Sequence, residues 1–265
     1  MVKFNFKKRL SSMIKVDFRR MFTMPIYYLL VGISFIIPVL ILVMTTLMVG
    51  TESTDPVTGE VTIMEPIFTN VWQAIGSVSN TNQAGMSLDL TTMCNINMMF
   101  FAIAVLVCIF VSEDFKSGYC KNLFTVRSNK VDYIISKTLV GFVGGASMII
   151  AYFIGALIGG AIAKLSFELI DVNITNIIMS MISKLFLVLI FSSMFLLASV
   201  IGKAKTWLSI IVSIGISMLM FTMIPMISPL DSTIINVVLC LVGGLLFSIG
   251  LGIISNTILK KTRLV

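Results

Sequence analysis

Few side chains in this sequence could do covalent chemistry, and their spacing excludes most of it. The chain has no histidine, so it cannot build a Ser-His triad, an HExxH zinc site, a haem axial ligand or an imidazole proton relay. Cys94, Cys108, Cys120 and Cys240 never form a CxxC pair. At such separations they read as apolar filler, and no metal or cofactor is expected on this chain. The single Gly-Lys dipeptide, Gly202-Lys203, is followed by Ala204 and has no glycine five residues before it. The phosphate cradle of a Walker A loop is therefore missing, and the chain cannot hydrolyse ATP itself. What remains is Lys184 inside an apolar run, isolated amides such as Asn95 and Asn97, and one dense polar segment, 113–137.

The elements that position these residues follow from composition. Of 265 residues, 57% are hydrophobic and 12% charged, against ~25% charged in soluble proteins. Mean hydropathy is +1.05. No single aqueous core of this size hides that much apolar surface, so a soluble enzyme is excluded and an all-α, multi-pass membrane protein is expected. Runs of ~20 apolar residues predict six spans, at 25–49, 93–112, 137–163, 177–201, 207–227 and 234–254. The first follows a basic segment, 1–24, and reads as a retained helix.

The connections alternate in charge. Segment 1–24, loop 113–137, loop 202–206 and the basic tail 255–265 together carry seventeen of the nineteen bases. The 50–92 loop has no Lys or Arg but has Glu52, Asp55, Glu60, Glu65 and Asp89. This is the positive-inside pattern. It places both termini in the cytoplasm and explains the net charge of +7 without nucleic acid. Lys184 would then lie ~10 Å into the fourth span, within partial snorkelling reach or facing a cavity. As an intramembrane charge it is also a candidate for contact with cargo, together with Asn95 and Asn97.

Three elements are not spans. Residues 4–22 are amphipathic: Phe6, Leu10, Met13, Ile14, Phe18, Met21 and Phe22 recur at steps of three and four, and Lys7, Lys8, Arg9, Lys15, Arg19 and Arg20 take the rest of the arc. Such a helix is expected in the cytoplasmic interface, with its apolar face in the acyl boundary and its cations near lipid phosphates. In the 50–92 loop, Asp55-Pro56-Val57-Thr58-Gly59 has turn chemistry and suggests a small hairpin. Ile67, Phe68, Val71, Trp72 and Ile75 suggest an outer lid lying on the membrane. Gly141-x-x-x-Gly145 and Gly155-x-x-x-Gly159 in the third span, and Gly243, Gly244, Gly250 and Gly252 in the sixth, suit close helix packing or a dimer seam. In the third element, 113–137, carboxylates stand at the membrane exit and Gly118 breaks the helix. A short helix follows, with Tyr119, Leu123 and Phe124 as anchors for a partner's groove.

This segment resembles the loop between the second and third spans in the membrane subunits of type-2 ABC exporters, particularly small bacterial permeases. The matching positions are Glu113, Gly118, Lys121, Asn122, Leu123, Arg127, Tyr133 and Lys137. Six spans after a basic interfacial helix fit the same family. Where the family often has a Gly/Pro and a Ser-Arg pair, this chain has Thr125-Val126-Arg127-Ser128-Asn129-Lys130. The resemblance implies a coupling helix seated in an ATPase subunit, with Glu113, Asp114, Gly118, Tyr119, Lys121, Asn122, Leu123, Phe124 and Arg127 at the contact. It also implies two ATPase copies holding ATP and Mg, a second permease copy or a related permease, and a brief re-entrant element near Pro225 and Pro229. Export of, or immunity to, amphipathic peptides such as antimicrobial peptides is the expected role. Nineteen Met and nineteen Phe suit hydrophobic cargo. An ion-coupled carrier or a non-transporting scaffold is the alternative, but carriers place ionisable groups within their spans, and no carboxylate lies inside the spans delimited above.

Overall fold

A computed structural model describes residues 6–54, 61–63, 65–76, 94–126, 130–169, 172–221 and 223–261. Nine α-helices appear among them: α1 Phe6–Thr23, α2 Pro25–Leu47, α3 Met99–Lys116, α4 Tyr119–Val126, α5 Val131–Ile162, α6 Ile174–Gly202, α7 Thr206–Phe221, α8 Ile224–Ile227 and α9 Ile234–Lys261. Five stretches are long and apolar enough to cross a bilayer: α2, Ile96–Lys116 (α3 with a preceding 3-10 turn), α5, α6 and α9. The protein is a helical, multi-pass membrane protein. The fifth expected span is shorter and interrupted. Its first piece, α7, has 16 residues, ~24 Å at 1.5 Å per residue, against a hydrocarbon core of ~30 Å. The four-residue α8 follows, opened by Pro225 in its first turn.

The best-shielded helix is α3, which packs on α5, α6 and α7. Two-thirds of its apolar window is buried (67%), against 11% for α9, which lies along α6 with Leu245, Leu246, Ile249 and Ile253 exposed. On the other flank α2 runs along α5. Glycine permits that approach: a Cβ on Gly155 would strike the Phe35 carbonyl, and one on Gly159 would lie 2.7 Å from Val39 Cα. A Cβ on Gly145 would meet Val188 at 2.5 Å and Ile103 at 3.1 Å. In α9, by contrast, Gly243 and Gly250 have nothing within 4 Å among the described residues, while Gly244 faces the Phe186 carbonyl at 3.3 Å.

The two ends of the bundle are finished differently. At the far end, Glu52–Thr54 pairs antiparallel with Val61–Ile63 in the expected hairpin. The lid residues are docked rather than laid outward: Phe68, Val71, Ala74 and Ile75 are buried. Asn70 Nδ2 donates to the Glu168 carbonyl at 2.6 Å, and Trp72 Nε1 to that of Phe167 at 3.2 Å. At the near end lie α1 and α4. Here α1 departs from expectation, since Met13, Asp17 and Met21 are buried on the side that packs on α5. The bundle takes Met13 and Met21 from the expected apolar face, whereas Phe6 and Phe22 stay exposed.

Candidate functional site

Three residues on one stripe of α1, spaced four apart, build the near-end site: Met13, Asp17 and Met21. The middle one is a carboxylate, fully buried. Asp17 Oδ1 lies 2.9 Å from Lys137 Nζ, and Oδ2 accepts from Ser136 Oγ at 2.6 Å. The same Lys137 Nζ is 2.7 Å from Asp114 Oδ2, which also accepts from Tyr133 at 3.1 Å. Arg20 Nη1 closes the circuit, 2.6 Å from Asp114 Oδ1 and 3.9 Å from Asp17. Two carboxylates and two cations cancel, which is what lets ions leave water at this depth. Burial alone would lower the Arg20 pKa, but Asp114 and Asp17 outweigh it and hold it above its ordinary value. The cluster ties α1, α3 and α5 at one point.

Lys137 and Asp114 therefore differ from their expected surroundings. The loop 113–137 is mostly helix: α3 continues to Lys116 and α5 starts at Val131. Lys137 is thus inside α5, fully buried, with its Nζ 3.8 Å from the centre of the Phe110 ring. Asp114 faces the cluster, while its neighbour Glu113 is exposed.

Gly118, at φ +74°, makes the left-handed turn between α3 and α4 that side chains resist. Within α4, Cys120 is buried. The Arg20 guanidinium lies over Tyr119 at 4.5 Å, and Phe124 meets Tyr133 edge-on at 5.4 Å. Leu123 and Phe124 pack against the core. Tyr119, Leu123 and Phe124 thus anchor α4 to its own bundle. The face left outward consists of Lys121, Asn122 and Thr125, next to Glu113, Lys116 and Ser117. Burial pushes the Cys120 thiol up to about 12. Arg127 lies outside the described residues.

Another buried charge is at the far end. Lys184 stands ten residues into α6, ~15 Å from its start, and is fully buried. It does not snorkel. Its Nζ donates to the Ser228 carbonyl at 2.7 Å, Ser180 Oγ at 3.1 Å and Ser228 Oγ at 3.3 Å. Ser228 is the residue after α8, so the lysine pins that break to α6. A Cβ on Gly76 would lie 3.6 Å from the amine, which brings the docked lid to the same point.

Compared with known proteins, the chain matches no family model, no curated protein and no solved structure. Its own geometry carries the functional argument. The cluster is a tie rather than a reaction centre, because each carboxylate already holds a cation. Asn95 is an N-cap, its Oδ1 accepting from the Asn97 amide at 2.9 Å before α3. Both amides are buried, and Asn95 serves its own helix start. Sequence reasoning missed Asp17, and the signal was present: an acid at the centre of an i, i+4 apolar stripe needs a buried partner.

Proposed function

We propose that this chain is the membrane subunit of an ATP-driven exporter in the bacterial cell membrane, energised by two copies of a separate ATPase chain that dock on α4. The observation that carries this reading is the construction of α4. It is a two-turn helix, hinged at Gly118, with its inner face locked by Arg20, Tyr133 and the core and its outer face polar. A helix held this way passes a push on its outer face directly to α1, α3 and α5. The resemblance of Gly118, Lys121, Asn122 and Leu123 to the coupling loop of type-2 ABC permeases supports the same assignment. In this reading the near end is cytoplasmic, as the distribution of bases requires. A second permease, identical or related, completes the path, and the cargo is amphipathic or hydrophobic, an antimicrobial peptide being the first candidate.

The carboxylates that the structure adds to the long helices, Glu113 and Asp114 in α3 and Asp132 in α5, all stand at the near end. None lies at mid-span, where an ion-coupled carrier needs one. The test is purification of the tagged chain from native membranes in mild detergent, with mass spectrometry of what co-elutes. A stoichiometric ATP-binding-cassette chain is expected. A chain that remains alone, with and without nucleotide, would overturn the proposal.

A further inference from the structure

The helix α1 has two working faces, and the ionic cluster uses only one. On the opposite side Lys7, Lys8, Ser11, Ser12, Lys15 and Val16 form an open surface strip. Lys7, Ser11 and Lys15 succeed one another at steps of four, as do Lys8 and Ser12, so cations and hydroxyls share one strip. None of these residues is acidic. Lys7, Lys8 and Lys15 are exposed, and none is paired with a carboxylate among the described residues. Seven residues beyond Lys15, ~10 Å along the helix, an aromatic chain begins: Phe22 packs edge-on against Tyr27, and Tyr27 against Tyr28. Tyr28 and Leu29, 59% and 55% exposed, open the lipid-facing side of α2. Aromatic rings at that level mark the headgroup boundary, and the lysine strip lies beside them.

We infer that the Lys7–Lys8–Ser11–Ser12–Lys15 strip binds the phosphate of anionic phospholipid headgroups, and that lipid held there presses α1 onto α5. Three ammonium groups and two hydroxyl donors match a phosphodiester, which offers only acceptors and a negative charge. Of the apolar side chains of α1 the bundle buries Met13 and Met21, while Phe6 and Phe22 stay exposed, so the helix meets the membrane surface with both apolar side chains and the headgroup-facing lysines. Because Asp17 and Arg20 are on the same helix, lipid on one face steadies the ionic cluster on the other. The proposal does not depend on the exporter reading.

The experiment uses the full chain, with whatever co-purifies, in nanodiscs of phosphatidylcholine alone or mixed with phosphatidylglycerol. Retained lipid is measured by mass spectrometry and melting by thermal shift. Phosphatidylglycerol should be enriched around the wild type and should raise its melting temperature. In the Lys7→Gln/Lys8→Gln/Lys15→Gln variant the enrichment should fall by roughly tenfold or more and the stabilisation should vanish. The Lys260→Gln/Lys261→Gln variant, which removes exposed charge from the same end, should behave as wild type. Equal loss in both variants would show general attraction and overturn the site. Inorganic phosphate producing the same stabilisation in neutral discs would overturn the lipid assignment. So would loss of a co-purifying protein from the triple variant with phosphatidylglycerol enrichment unchanged. Absence of an ATPase chain from the preparation would count only against the exporter reading.

Discussion

The ionic cluster at the near end and the buried Lys184 at the far end solve one problem in opposite ways. At the near end, Lys137 is neutralised by Asp17 and Asp114, and Arg20 completes a charge-balanced set drawn from three helices. At the far end, among the described residues, Lys184 is held by neutral oxygens, from Ser180 and Ser228. A paired cluster is rigid because moving one member strands another charge. A cation held by hydroxyls and one carbonyl gives up only ordinary hydrogen bonds when the elements part. The near end is cross-tied by charges that cannot be parted singly, and the far end holds α8 against α6 with hydrogen bonds that cost less to break.

Breaking one member of the cluster should produce the largest effect. Asp114→Asn leaves two cations facing one carboxylate, and should cost about 3–5 kcal/mol, seen as a fall in the detergent melting temperature and in yield. The double variant Asp114→Asn/Lys137→Met restores balance, with Asp17 and Arg20 remaining, and should be less destabilised than either single change. A strictly additive double variant would break the comparison, because the cluster would then not act as a unit.

The native cysteine beside the cluster gives a chemical readout. With the Cys120 thiol pushed up from 9.0 to about 12 by burial, its thiolate at pH 8 should be roughly a thousandfold scarcer than that of an ordinary thiol. The sign is that of an acid held neutral: maleimide labelling stays slow through the mildly alkaline range and rises only toward the folded pKa. Asp114→Asn should loosen α4 and bring labelling forward in pH; unchanged labelling would mean that α4 is held independently of the cluster.

At the far end, Lys184→Met removes the charge and orphans the Ser228 carbonyl, a loss of about 1–3 kcal/mol, smaller than that of Asp114→Asn. A loss equal to or larger than the near-end one would break the contrast between paired and unpaired sites. The smallest effect is expected at the hinge. Gly118→Ala puts a side chain at φ +74°, about 1 kcal/mol of strain, with melting little changed. Retention of the ATPase chain on purification should nevertheless drop. Full retention would separate α4 from partner docking.

Much of the fold was legible because the information is local. Apolar runs and charge alternation marked the helices, and Gly118 and Pro225 marked two breaks that the structure keeps. The ends of α3 and α5 were misplaced because hydropathy stops at the first charge, whereas a helix continues as long as its backbone bonds are made and its charges find partners. For the same reason the apolar runs put Asp114 just outside the second span and Lys137 at the entry of the third, not inside helices. The glycines of α5 and α9 look alike in the sequence, yet Gly145 and Gly155 are closely packed and Gly243 and Gly250 are open among the described residues.

By itself the sequence determined that this is a helical membrane protein, and its bases and acids separate by loop, because hydropathy and net charge are sums over neighbours along the chain. Only the tertiary structure decided which charges are paired. Asp17 meets Lys137 across 120 positions and Lys184 meets Ser228 across 44. Such contacts depend on the rotation and height of one helix against another. Those are set by the packing of every neighbour together, and no local pattern encodes them.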